Sequence, residues 1–188
     1  RFTALHFCAP GTDLRVGLPD GHIWHSGGME NERGVYFTAN IPTEEVFTLP
    51  HRERVEGTVT ATRPLSVAGT LIEDFRLTIE GGRVVGAEAG RGADHLTNLL
   101  DTDAGARRLG EVSLVPHSSP ISQSGVTFCD ILFDENASDH LALGAAYNFS
   151  LEGGQTMSTA EFEAAGGNQS VIHVDFMFGS GAMDVDGM

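Results

Sequence analysis

Between residues 55 and 85 the chain alternates apolar and polar residues in short runs, with no helical stretch to separate them. Candidate strands cover residues 55–62, 65–69, 71–79 and 84–85, and Gly81-Gly82 reads as the hairpin turn. Runs joined so closely can pair only as antiparallel neighbours, because a parallel pair needs a long crossover. Further strands are expected at residues 2–7, 13–18 and 111–115, with the last at 171–178. The first helical patterning comes at residues 93–100 and 104–109, with Asp101 or Asp103 as a cap for the second part and Gly110 as a stop. His140, Leu141, Leu143, Gly144 and Tyr147 at helical spacing predict one more helix within residues 139–147. The class this implies is α+β: a predominantly antiparallel β domain with two or three helices and no βαβ rhythm.

At 188 residues the chain can hold one sizeable core. It carries 26 acidic and 11 basic residues, a formal charge of -15, and a field of that sign repels phosphate backbones. Arg52-Glu53-Arg54 is interleaved with acid and Arg107-Arg108 is only a pair, so nucleic acid is excluded as a partner. No segment approaches the roughly 18 apolar residues of a membrane span. Cys8 and Cys129 each sit beside apolar neighbours, which predicts buried free thiols and a reducing, cytoplasmic compartment. The sequence starts at Arg1 and closes soon after a strand, which suggests a piece of a longer protein.

The chemistry-bearing residues fall in four clusters. In Val171-Ile172-His173-Val174-Asp175-Phe176, period two puts His173 and Asp175 on one strand face and Ile172, Val174 and Phe176 on the core face. Two side chains placed so can converge on one cation, or simply bond each other at a sheet surface. Glu44 and Glu45 occupy opposite faces of an apolar run, so at most one is a ligand candidate. Glu111 opens an apolar strand, where a carboxylate is costly unless it meets a metal, pairs with an arginine such as Arg107 or Arg108, or simply sits at the solvent edge. Asp134-Glu135-Asn136 leads to His140, and Tyr147 follows seven residues later. A serine nucleophile elbow, a phosphate-binding lysine loop and a His-Glu-x-x-His zinc helix are all missing. Residues 21–33, with His22, Trp24 and His25, read as a glycine-rich loop that could shape a substrate pocket.

Several segments together resemble the M29 metallo-aminopeptidases. They are Asn40-Ile41-Pro42-Thr43-Glu44-Glu45-Val46-Phe47-Thr48, Val55-Glu56-Gly57 and Thr62-Arg63-Pro64-Leu65, then Leu109-Gly110-Glu111-Val112-Ser113-Leu114-Val115-Pro116 and Ser119-Pro120-Ile121. Leu132-Phe133-Asp134-Glu135-Asn136-Ala137, His140, Tyr147 and His173-Val174-Asp175-Phe176-Met177 complete the pattern, which runs from about Gly34 onward. The resemblance implies a site for two divalent ions, of zinc, cobalt, manganese or magnesium, held by Glu45, Glu111, His140, His173 and Asp175. It implies active-site roles for Tyr147 and Glu135, and favours Glu45 over Glu44. Asp184 and Asp186 fit the family's exit from the last strand. By the same resemblance residues 1–188 are the C-terminal catalytic domain of a two-domain homodimer, without its N-terminal α/β domain. The expected reaction is hydrolysis of peptides with a free N-terminus, with a preference for hydrophobic residues such as leucine. The alternatives are a dinuclear hydrolase of non-peptide amides and a metal-binding domain without catalysis.

Overall fold

The structure, a computed structural model, describes residues 2–188. The chain opens with a hairpin of β1 (Ala4–Ala9) and β2 (Thr12–Gly17), then crosses through the short strands β3 (His25–Ser26), β4 (Met29–Glu30), β5 (Tyr36–Phe37) and β6 (Val46–Thr48). The alternating region follows as β7 (Val55–Thr60), β8 (Leu65–Val67), β9 (Thr70–Glu80) and β10 (Arg83–Arg91). Gly81 and Gly82 make the turn between the last two, both at positive φ. Helix α1 (Ala93–Leu100) and β11 (Leu109–Leu114) come next, then the short helices α2 (Pro120–Ser124) and α3 (Ile131–Asp134). β12 (His140–Gly144), α4 (Thr159–Ala164), β13 (His173–Met177) and β14 (Asp184–Gly187) complete the chain.

Every described strand pair is antiparallel. One sheet has seven strands, in the order β10-β9-β7-β2-β1-β14 with β8 paired to β9, and a second has five, in the order β13-β12-β11-β6-β3. A single core joins them: Leu5, Phe7, Leu14, Val16, Phe75 and Leu77 of the larger sheet cluster with Val112, Leu141, Leu143 and Phe176 of the smaller. Phe7 meets Phe178 edge-on at 5.0 Å between centroids, and Phe75 meets Phe176 at 5.4 Å. Burying each such ring contributes roughly 1.5–3 kcal/mol, so these pairs fix how the sheets sit on each other. Leu96 and Leu100 of α1 join the same core.

Four expectations need correction. Residues 139–147 hold no helix; His140-Leu141-Ala142-Leu143-Gly144 is a central strand, buried along its whole length. With both faces covered the period of two disappears from the pattern, and the run can be read as a helix. Residues 104–108 are turns rather than a helix and Leu109 already belongs to β11, because Asp103 caps the backbone N–H groups of Gly105 and Ala106 without a following helical face. Residues 171–178 are not the last strand, since β14 returns to pair with β1. Both cysteines are free, but Cys8 is half-buried and Cys129 exposed, so neither is the buried thiol expected.

Candidate metal centre

The five-stranded sheet turns one face to the core and the other to a cleft, and register decides which residues share the cleft face. Across β11, β12 and β13, Glu111 lies opposite Ala142, which lies opposite Asp175. Ser113 lies opposite His140 on one side and Phe47 on the other, and Gly144 opposite His173. Residues directly opposite project to the same face, so Glu111, Ser113, His140, His173 and Asp175 stand on one surface. Val112, Leu141, Val174 and Phe176 point the other way. Small residues matter here. A Cβ on Gly110 would collide with the Ala145 carbonyl, and the register shifts between Leu109 and Glu111 at this point. That bulge sets the face on which Glu111 emerges.

Two triads of donors result, Glu45–Glu111–His140 and Glu111–His173–Asp175, each with its donor atoms within 4.8 Å of one another. His140 Nε2 lies 3.0 Å from Glu45 Oε2 and 3.4 Å from Glu111 Oε1. His173 Nε2 lies 3.7 Å from the other Glu111 oxygen, Oε2, and 3.5 Å from Asp175 Oδ1. Glu111 thus belongs to both triads and offers one oxygen to each. Glu45 stands immediately before β6 and is nearly covered, whereas Glu44 is exposed. Neither Arg107 nor Arg108 reaches Glu111: Arg107 pairs with Asp101, and Arg108 donates to the Arg52 carbonyl.

The surroundings hold these groups in place. Nδ1 of His140 is 3.2 Å from the Ser138 carbonyl and Nδ1 of His173 is 2.7 Å from the Ala145 carbonyl. A carbonyl only accepts, so each Nδ1 carries the hydrogen, and in the neutral ring Nε2 presents its lone pair to the carboxylates. Lone pairs facing carboxylate oxygens at this range repel unless a cation or a proton lies between. His140 Nε2 and Asp175 Oδ1 are buried, and neither makes an aligned hydrogen bond. The donor set therefore fits divalent cations, with two imidazoles and three carboxylates.

The acid–base balance agrees. Burial pushes Glu111 up to about 7 and Glu135 up to about 8, with neighbouring carboxylates adding to the effect. Burial alone would depress the histidines, but Glu111 and Glu45 hold His140 well above its ordinary value, and Asp175 with Glu111 raises His173 to about 9. The cluster holds extra protons where a cation would sit.

Glu135 is buried in the 3₁₀ turn Glu135–Ala137 and lines the same cleft, of about 280 Å³, without joining either triad. Tyr147 stands at the mouth, its ring 4.6 Å from His173 and stacked on Phe149 at 5.1 Å. Burial, then the nearby carboxylates, raises its phenol to about 12, so it stays a proton donor. His25, Phe47, Phe149 and Met29 form an aromatic and apolar wall, so the loop at 21–33 does border the cleft. His22 turns away, to the Pro19 carbonyl.

Three positioning roles escaped the sequence reading. Ser113 donates to Glu45 Oε2 at 2.6 Å; its place two residues after Glu111 in an apolar strand was the available signal. Fully buried Asn136 accepts from the Glu44 backbone N–H at 2.6 Å and donates to the Leu132 carbonyl, tying the Glu45 segment to the Glu135 turn. Asp103 accepts from the Val171 N–H and the Ser170 hydroxyl, which anchors the approach to β13. The sequence marked Asp103 as a cap, which it is for Gly105 and Ala106, but nothing local marked its bond to Val171 or the role of Asn136.

Known proteins are similar to this chain over its whole length. The chain is 54% identical to aminopeptidase AmpS of Bacillus subtilis over 187 residues and 54% identical to aminopeptidase T of Thermus aquaticus over 188. In each case the match takes in 100% of this chain and 46% of the relative, so the chain spans about half their length. The solved structure of wild-type AmpT from Thermus thermophilus superposes with a TM-score of 0.94 at 54% identity, again over 46% of that chain. A 2,5-dihydroxypyridine dioxygenase from Pseudomonas putida shares the fold alone, at a TM-score of 0.64 and 16% identity over 99% of this chain and 52% of its own. The family model described as thermophilic metalloprotease (M29) matches residues 1–188, and the chain belongs to that family.

Proposed function

We propose that this chain is the C-terminal metal-binding domain of an aminopeptidase that hydrolyses peptides from a free N-terminus at a two-ion site. The observation that carries the reading is Glu111, which gives one oxygen to each of two donor triads. Glu45 and His140 would hold one ion, His173 and Asp175 the other, and Glu111 would bridge them. Bound there, two divalent ions supply a water of lowered pKa and a polarised scissile carbonyl. Glu135, beside the triads but in neither, would be ionised by the field of the bound cations and would then accept the proton of the attacking water and pass it to the leaving amine. Tyr147, kept protonated, donates a hydrogen bond to the developing oxyanion. The wall of Phe47, Tyr147 and Phe149 takes an apolar side chain. A homodimer and a cytoplasmic setting belong to the same reading, as does any one of zinc, cobalt, manganese or magnesium.

The test uses the protein at its natural length. Elemental analysis should give two equivalents of metal, and a leucyl peptide with a free amine should be cleaved while its acetylated counterpart is not. Equal cleavage of the blocked substrate would replace the aminopeptidase by an amide hydrolase. Glu135→Gln should keep the metal and lower kcat by about 10²–10⁴-fold; loss of metal instead would make Glu135 a ligand.

A further inference from the structure

The outer face of the seven-stranded sheet carries a second convergence of donors, far from any role in the cleft chemistry. Leu5 and Phe7 of β1 point into the core, so His6 and Cys8 point outward. Cys8 is paired across the strands with Asp13 on one side and Asp184 on the other, and His6 lies opposite Asp186. His6 Nε2 stands 2.7 Å from Asp13 Oδ1 and 3.3 Å from Cys8 Sγ, and the three donor atoms lie within 4.8 Å of one another. Arg15, opposite His6 on β2, is itself opposite Glu56 and leaves the acidic surplus in place.

We propose that His6, Cys8 and Asp13 form a second metal site, for a borderline-soft divalent cation of the zinc class. Tetrahedral ligation with bonds of about 2.0–2.3 Å places neighbouring donors about 3.3–3.6 Å apart. The sulfur lies beside the ring, 3.3 Å from Nε2 and 3.8 Å from Nδ1, so a turn of the imidazole brings the Nε2 lone pair and the sulfur round one ion. The nitrogen–oxygen contact must open slightly, which Asp13 can do because its side chain is 84% exposed. Asp184, across from Cys8, or a water completes the shell. Sulfur gives this site a different selectivity from the cleft, which offers only nitrogen and oxygen and suits harder ions equally well.

Burial and the charges of Asp13, Asp186 and Asp184 hold the Cys8 thiol above its ordinary value, so without a cation it stays protonated and unreactive. Cation binding releases that proton to solvent, and affinity rises with pH. A bound ion would clip β1 to β2 at the outer surface.

Cobalt titration of the natural-length protein tests the site, because thiolate-to-cobalt charge-transfer absorption can arise only where a cysteine ligates. The expected result is one equivalent of sulfur-ligated cobalt, displaced by zinc. The band should vanish in Cys8→Ser, persist in Cys129→Ser, and need more than about 10-fold more cobalt in His6→Ala. Circular dichroism of the variants, matching wild type, separates lost ligation from lost fold. No band in the wild type overturns the site, as does a band that follows Cys129 or one indifferent to His6. The outcome is independent of peptidase activity, so the two proposals stand or fall separately.

Discussion

Two histidine–carboxylate clusters in this chain are built by the same strand geometry and differ in what lies over them. His173 and Asp175, two residues apart on β13, line one cleft with Glu45 and Glu135, and their neighbour Glu111 is 5% exposed. His6 and Cys8, two residues apart on β1, look outward, with Asp13 largely in solvent. In the first, desolvation raises Glu111 and Glu135 by enough to make a bare cluster unfavourable without protons or cations. In the second, water screens the charges and the groups tolerate their own company. Strand spacing brings donors together; cover makes the resulting field strong enough for chemistry.

If that difference is real, perturbations should rank by cover. Glu111→Gln removes the oxygen shared by both triads, and should reduce metal affinity by more than the about 10–100-fold that losing a supporting partner costs, with activity falling alongside. Isothermal titration with zinc and a leucyl-substrate assay measure this; an unchanged stoichiometry would argue against a shared ligand. Ser113→Ala, which frees Glu45 from its 2.6 Å hydrogen bond, should weaken metal binding by about 10–100-fold with the fold intact.

Effects on stability come next. Asp103 is held below the usual carboxylate range, first by the Val171 backbone N–H and then by Ser170, Ala106 and Gly105. A carboxyl with a depressed folded pKa stabilises above its ordinary value and loses that contribution as pH falls through the lower folded one. Asp103→Asn should therefore cost about 1 kcal/mol at neutral pH, a figure reduced for its solvent access, and the gap from wild type should close under acid. Denaturant melts at several pH values would show it; a gap that widens in acid contradicts the sign. Smallest of all, His6→Ala in metal-free buffer should change stability by less than about 0.5 kcal/mol, because its ion pair with Asp13 is open to water. A larger loss would mean that the exposed cluster is more covered than its partner's 84% exposure indicates.

Much of the fold was legible along the chain. The alternation at 55–85 and the glycine pair at 81–82 correspond to β7 through β10, and within β13 the faces are as expected, with Phe176 in the core and Val174 packed against it, whereas Ile172 lies before the strand and outside the core. Such features depend on a covalent repeat of two residues, so they show in the sequence. His140 was misplaced because its strand is buried on both sides, and burial on both sides erases the alternation. The ties from Asn136 to Glu44 and from Asp103 to Val171 gave no local sign, since each joins segments distant in the chain.

What the sequence by itself determined is the antiparallel class, the pairing of His173 with Asp175, and, through long matched segments, the identity of the candidate ligands. Only the tertiary structure decided that Glu111 faces both histidines, that Glu135 stands beside the triads, and that His6, Cys8 and Asp13 meet. The reason is geometric. Spacing within one strand is fixed by bond lengths, whereas convergence between strands depends on register, a bulge at Gly110 and the packing of one sheet on another.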